Sequence, residues 1–526
     1  MRDFHLPGRS PVFAQNGMCA TSHPLAAQVA VVTLKSGGNA MDAAIAGAVL
    51  LGLCEPAMTG IGGDCFVLFT PPGEDRVLAL NGSGRAPGAT SAEVLRGAGH
   101  KTVPVSDPAA VTVPGAVDAF CRLSADWGRL GLDRVLAPAI HYADAGVPVA
   151  PRAALDWALH AGKLSGASAR HYLLDGRVPV AGEVFRAPAQ AKALRLIAEH
   201  GRAGFYEGAV AEDMVNSLRA LGGCHTLDDF AACASDYTTP VSGGYGGHEL
   251  VEHPPNGAGP AALLLANILK HFDLAAMDPF GVERAHLEVE ATKLAYDARD
   301  RIIADPDHTV HLDRLLALGT AADLAGQIAP TRANTNIATL TEAVHRETEY
   351  FTVVDKDRMC VSLIYSIMHD FGSGLASDAY GILFQNRGAG FTLQPGHPNE
   401  IGPGKRPLHT IIPAMLRNEG KVVMPFGVMG GRYQPQGHLR LLTNMFDFGM
   451  DVQTAIDGPR VFFEQGQLRV ERGYAPAVHQ ALADLGHPVT VLPTPIGGAQ
   501  AIHIHPETGV LEGASDPRKD GCALGY

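Results

Sequence analysis

The stretch Tyr350-Phe351-Thr352-Val353-Val354 constrains this chain more than any other. Aromatic and β-branched residues fill a short run that ends at the polar turn Asp355-Lys356-Asp357-Arg358, and a second apolar run, Met359 to Tyr365, follows at hairpin distance. Residues of these types pack well on a pleated, buried surface, so the two runs read as a hairpin in the core. Thr348 stands at its head, after a segment, Thr331-Arg332-Ala333-Asn334-Thr335-Asn336, that reads as loop. Were the bond between Glu347 and Thr348 cut, the new amino group would lie beside the threonine's own hydroxyl. A free α-amine titrates near ~7.7–8.0, so at neutral pH part of it is unprotonated and can take the hydroxyl proton. One residue would then supply both nucleophile and base. Taken by itself, a threonine here more often serves as a strand former or a local cap.

Composition narrows the partners. The 526 residues are 46% apolar and only 18% charged, enough for a large buried core, and the 61 Gly and 36 Pro are spread along the chain as turn formers rather than gathered in a disordered tract. A formal net charge of −13 disfavours nucleic acid and anionic membranes and fits a soluble enzyme. The N-terminus, Met1-Arg2-Asp3-Phe4-His5-Leu6-Pro7-Gly8, has an early acid and no apolar run behind it, unlike a signal peptide. The longest apolar stretch, Ala43 to Leu53, is well short of the ~20 residues that span a bilayer. The eight cysteines form no CxxC pair and read as reduced, buried thiols. The expected location is therefore cytoplasmic.

In chain order, an Ala-rich helix capped near Asn39 and stopped before Pro56 leads to Gly60-Ile61-Gly62-Gly63 and a strand from Cys65 to Phe69. These glycines precede a strand, whereas a phosphate cradle needs them to open a helix, so nucleotide binding is rejected. Asn81-Gly82-Ser83-Gly84-Arg85 is a loop with one cation, a candidate anchor for a substrate carboxylate. Helical patterns follow at Val117–Trp127, Leu132–Ala143, Ala187–Glu199, Ala209–Leu221, Ala261–Phe272 and Val282–Arg301, with Pro138 either kinking its helix or marking the first turn. Past Thr348 the pattern turns to strands and glycine turns, closing in a hairpin from Ala499–Ile504 to Gly509–Leu511. Helices through the first part with strands at both ends imply one α+β layered unit. Phe371-Gly372-Ser373-Gly374 lacks the spacing of a nucleophile elbow. His503-Ile504-His505, with no HExxH beside it, reads as polar surface. No motif asks for a metal or an organic cofactor.

Assembled, these residues resemble the γ-glutamyltranspeptidase family over nearly the whole chain. Gly37–Ala43, Gly60–Phe66, Val113-Pro114-Gly115-Ala116, Phe205-Tyr206-Glu207-Gly208, Pro254-Pro255, Thr348–Asp355, Gly430-Gly431 and Gly513-Ala514-Ser515-Asp516-Pro517-Arg518 all fall in the family's order. The resemblance implies an N-terminal-nucleophile hydrolase with a four-layered αββα sandwich. It implies a proenzyme that cuts itself between Glu347 and Thr348 into a large fragment, 1–347, and a small one, 348–526, that stay intertwined as a heterodimer, with pairing of heterodimers as a second level of assembly. Thr348 would attack an amide of a small-molecule substrate, Gly430 and Gly431 would form the oxyanion hole, and Ser366 would orient the free amine.

The departures bear on substrate. The family's glutamyl-binding arginine falls at Ser83, leaving Arg85 as the nearest cation. The acid that holds the substrate's α-amino group falls at Gly390, and the serine pair that holds its α-carboxylate at His409-Thr410. An unpaired ammonium in a buried site is costly. The lid between Pro395-Gly396-His397-Pro398-Asn399 and Gly402-Pro403-Gly404-Lys405-Arg406 is also much shorter than in the transpeptidases, which favours water over an amine acceptor. In these respects the chain resembles the acylase-like branch. The expectation is a self-processing threonine amidohydrolase for a γ-glutamyl or glutaryl-like amide, with Arg85, Arg387 and His409 as carboxylate partners, Thr410 beside them, and Gln434 and His438 near the pocket. The competing readings are an amidase for another small dicarboxylic amide without γ-glutamyl activity, and a catalytically silent binding homologue.

Overall fold

The computed structural model describes residue 5 and residues 8–334 and 348–526. Glu347, on the far side of the expected cut, and Thr335-Asn336 lie outside the described residues.

The Thr348 hairpin is the middle of a seven-stranded sheet. From edge to edge the strands are Cys522–Gly525, Met18–Thr21, Glu349–Val354, Cys360–Ser366, Asp64–Phe69, Leu78–Gly82 and Asp236–Thr238. A second seven-stranded sheet runs Val12–Ala14, Leu511–Ser515, Gly498–Ile504, Lys421–Met429, Ala414–Asn418, His248–Glu252 and Val241–Tyr245. All pairings within the two are antiparallel. Both sheets combine strands from before residue 335 with strands from after residue 347.

Side chains along a strand leave alternate faces, and here both faces are buried. Phe351, Val353, Leu363, Tyr365 and Cys65 meet the helices Pro24–Lys35 and Ala40–Cys54. Tyr350, Ile364 and Phe66 point the other way and meet Met429 and Ile411 between the sheets. Behind the second sheet, the helices Gly259–Leu269, Val282–Ile302 and Gln434–Phe446 cover Leu416, Phe426, Val428 and Ala501. The layers are helix, sheet, sheet, helix: the α+β sandwich expected from the sequence.

Two glycines let the layers approach. A Cβ at Gly47 would lie 2.1 Å from the Phe351 ring, and one at Gly427 2.3 Å from the Tyr350 ring. Consecutive aromatics of one strand thus sink into glycines on opposite sides. The helix carrying Gly47 is buried on all sides, as its small apolar residues require. Its start is fixed by a reciprocal pair in which the Asn39 side chain accepts from Asp42 N and the Asp42 carboxylate accepts from Asn39 N. The Asp355 carboxylate, in the hairpin turn, also accepts from Ala40 N at 3.0 Å and ties helix to strand.

Some elements differ from expectation. Pro138 lies inside a continuous helix, Leu132–Ala145, and does not mark its first turn. Gln434–Phe446 is a helix in a region read as strands and turns, with Pro435 in its first turn, where a missing N–H is harmless. The eight cysteines are free thiols, but Cys224 is exposed. Among the described residues no helix is long and apolar enough to cross a membrane.

Candidate active site

Register places the first functional group. Glu349 pairs with Tyr365 and Ser366 with Asp64, so Thr348, Ser366 and Asp64 sit side by side at one end of the sheet, on the face toward the second sheet. Thr348 is buried. The Gln434 side-chain amide donates to Thr348 Oγ1 at 3.3 Å and accepts from Ile412 N at 2.9 Å, so its orientation is set by the backbone. Gln434 opens its helix just past Gly430-Gly431, which leave the strand Lys421–Met429 with left-handed φ values of 115° and 56°. A Cβ at Gly430 would also lie 2.9 Å from Gly497 Cα, so glycine is needed there on two counts. The glycine turn and the Thr348 hydroxyl are thereby joined through one short helical start.

Ser366 Oγ accepts from Met368 N at 2.8 Å and from Arg387 Nη2 at 3.1 Å, which leaves its own proton to donate. Arg387 is fully buried, and its Nη1 reaches Thr410 Oγ1 at 3.3 Å. Both of these partners are neutral hydroxyls, and its Nε has no partner among the described residues. Burial pulls the guanidinium down to about 10, against the attraction of Asp64, yet it remains cationic at neutral pH. A buried cation resting on hydroxyls, with donors to spare, is a ready receptor for a carboxylate.

Asp64 faces that cation with its oxygens already engaged. Oδ1 accepts from Gly84 N at 2.9 Å, Gly115 N at 3.1 Å and Gln385 Nε2 at 2.9 Å, and Oδ2 pairs with His409 Nε2 at 3.1 Å. Burial would raise this carboxyl, but the hydrogen bond from His409, with the charge of Arg387 and the Gly84 amide, holds it below its ordinary range. His409 moves the same way: burial first, then Arg387, push it down to about 3. It is a neutral imidazole donating to Asp64, its ring centroid 4.5 Å from that of Phe66. It supports Asp64, which in turn faces Arg387.

Arg85 is placed elsewhere. Its half-exposed guanidinium lies 3.4 Å from Asp305, 3.9 Å from Asp236 and 3.0 Å from the Gly404 carbonyl. Its charge already faces two carboxylates, which leaves it less available to a substrate carboxylate than Arg387. Ser83, the family's arginine position, is buried and bound to Asn256 Nδ2 at 3.1 Å. The short lid is tied down by Lys405, which donates to Pro398 and Glu400 carbonyls at 2.8 Å each, and by exchange of backbone hydrogen bonds between Ala86 and the Gly404-Lys405 turn. His438 pairs with Glu252 at 2.7 Å inside the helical core. His503 and His505 share the Glu512 carboxylate across two strands. Gln385 went unread in the sequence. A lone glutamine carries no spacing signal, and only its contact with Asp64, 321 residues away, reveals it.

An αββα sandwich with a threonine at the head of its central strand, glycines in a left-handed turn beside it and a buried arginine behind defines the N-terminal-nucleophile class of amide hydrolases. The sequence model of the gamma-glutamyltranspeptidase family matches residues 26–526, and the chain belongs to that family. It is 37% identical to the glutathione hydrolase-like YwrD proenzyme of Bacillus subtilis (strain 168), over 98% of this chain and 99% of the relative. It is also 37% identical to the oxamate amidohydrolase proenzyme of Klebsiella pneumoniae, over 97% and 98%. A solved cephalosporin acylase from Bacillus halodurans superposes with a TM-score of 0.91 at 36% identity, covering 100% of this chain and 99% of that one. The chain is therefore an enzyme, a hydrolase- or acylase-like proenzyme of this family.

Proposed function

We propose that the chain cuts itself between Glu347 and Thr348 and then hydrolyses the monoamide of a small dicarboxylic acid, with Thr348 as nucleophile and Arg387 as the carboxylate receptor. The observation that carries this reading is the contact between Arg387 and Ser366, the cross-strand neighbour of Thr348. A carboxylate seated on Arg387 and Thr410 puts the far end of a short acyl chain at the threonine hydroxyl. Thr348 Oγ attacks the amide carbonyl carbon while the residue's own α-amine takes the hydroxyl proton. Backbone N–H groups of Gly430 and Gly431 meet the oxyanion, the C–N bond breaks, and the leaving amine departs with that proton. Water then attacks the ester on Thr348 by the same steps and releases the acid. Ser366 holds the amine through its remaining proton. The products of self-cleavage, 1–347 and 348–526, stay together as a heterodimer because their strands interleave, and the cytoplasm is the location we propose.

Within the γ-glutamyl or glutaryl-like choice, the geometry favours an acyl group without an α-ammonium. Asp64, the acid whose charge acts on Arg387, already accepts from four donors, and an ammonium beside Arg387 would be repelled. The pinned short lid favours hydrolysis over transfer. The relative named for oxamate, itself the monoamide of a small dicarboxylic acid, supports this reading. Comparing glutaryl, oxamate and γ-glutamyl amides tests this, with the glutaryl or oxamate amide expected to have the higher kcat/KM. Arg387→Gln should cost those substrates roughly 10²-fold or more in kcat/KM, the usual penalty for losing one partner of a buried charged contact, while Arg85→Ala should leave them within about threefold. A γ-glutamyl preference, or indifference to Arg387→Gln, would overturn the assignment.

A further inference from the structure

His503 and His505 have no part in the site at Thr348. They stand two residues apart at the end of the strand Gly498–Ile504, so both leave the sheet on one face. Ala501 belongs to that face and is covered by the helix layer, and the two histidines continue it past the cover. On the neighbouring strand Glu512 pairs with His503, and Ala514, on the same face, lies under the same helices. The turn between the strands is closed by hydrogen bonds from Gly509 N to the His505 carbonyl at 2.8 Å and from His505 N to the Val510 carbonyl at 2.9 Å. Register and turn together bring three side chains to one point.

His503 Nδ1 lies 3.5 Å and His505 Nε2 3.0 Å from the same oxygen, Glu512 Oε2. All three atoms fall within 4.8 Å of one another. Zinc bonds of ~2.0–2.2 Å meeting at the tetrahedral angle set neighbouring ligand atoms ~3.3 Å apart, between the two observed separations. The Glu512 side chain is 9% exposed, against 27% for His503 and 37% for His505, so the carboxylate is fixed while the imidazoles keep a way open to solvent. Among the described residues no lysine or arginine pairs with Glu512. Its charge faces imidazoles alone, and these offer lone pairs as readily as protons. A second trio, His286, Glu290 and His487, is similarly close but differs in charge. There Lys293 Nζ sits 2.7 Å from Glu290 Oε1, and Asn334 N donates to Oε2 at 3.0 Å, so that carboxylate already has its cation.

We propose that His503, His505 and Glu512 form a binding site for a divalent ion of the zinc class, which clips the two strands of this hairpin together. Each neutral imidazole carries its proton on the far ring nitrogen and turns a lone pair to the ion, Glu512 supplies the anionic oxygen, and water from the open side completes a four-coordinate shell. The ion's role is structural. His503 is five residues along the strand from Gly498, which pairs with Met429 just ahead of Gly430-Gly431. At ~3.3 Å per residue the ion sits roughly 16 Å from that glycine turn, too far to touch a reacting group there. The site is therefore independent of the role assigned to Thr348.

The test takes the purified protein, whole or cut, strips it with a chelator, and titrates it with Zn²⁺ by calorimetry and with Co²⁺ by visible absorption. One saturable equivalent of each ion is expected, with a melting temperature that rises as zinc is added, because the ion binds the folded state. His503→Gln and His505→Gln should each weaken binding by more than about tenfold, since even the outer partners of a metal ligand are worth that much. Both should also lose the cobalt absorption and the zinc-dependent shift. In chelator their melting temperatures should stay within ~2 °C of the parent, as for substitutions at part-exposed positions. Glu512→Gln should act in the same way, and the two histidine variants decide the matter should it fail to fold. His200→Gln, at an exposed histidine beside Glu199, should change nothing. Absence of a saturable equivalent, or binding that survives both histidine substitutions, overturns the site.

Discussion

Of the arginines weighed for a substrate carboxylate, Arg387 is fully buried against two hydroxyls, whereas Arg85 is half-exposed between two acids. Burial raises the worth of an unmatched charge, and solvent together with ready-made counter-ions removes it. Burial acts on His409 as well. With its affinity for a proton pushed down to about 3 from an ordinary 6.5, the folded protein keeps His409 neutral where the unfolded chain would protonate it. The unfolded state binds more protons between those values, so stability falls as pH drops from 6.5 toward 3. Replacing His409 with Gln, which retains a donor for Asp64, should flatten that acid limb in melting curves taken across the window. An acid limb of unchanged slope would show that His409 is not what titrates.

The hairpin, the Asn39–Pro56 helix and most of the helices read between residues 116 and 330 were legible because each carries its own periodicity, cap or breaker within a short window. The Gln434–Phe446 helix was not. Gly430, Gly431, Pro435 and Gly437 mimic a turn-rich strand region, and the one positive signal was a proline at a permitted first-turn position. The candidate site was legible where motif residues line up, at Thr348, Ser366 and the two glycines. It was opaque at Gln385 and in the sorting of Arg85 from Arg387, because those depend on partners brought together by packing. Close packing is also where the element scale is most exposed to test. Gly47→Ala would drive a Cβ into the Phe351 ring and should destabilise the protein by about 1–3 kcal/mol in chemical denaturation, as overpacking of a rigid core does. Phe351→Leu, in combination, should recover part of that loss by vacating the contact. Additive losses in the double variant would mean that Gly47 and Phe351 do not share the space.

At the scale of the molecule, both sheets combine strands from before residue 335 with strands from after residue 347, and the Thr348 hairpin is flanked by Met18–Thr21 and Asp64–Phe69. A cut ahead of Thr348 would free an amine without separating the layers, so chemistry and integrity are compatible. Intact mass after incubating the purified protein at neutral pH, beside a Thr348→Ala variant, is the most direct measurement. Two fragments, the smaller beginning at Thr348, are expected from the parent, with the variant remaining whole. A parent that stays at full length would contradict the self-cleaving nucleophile and leave the catalytically silent binding homologue as the better reading.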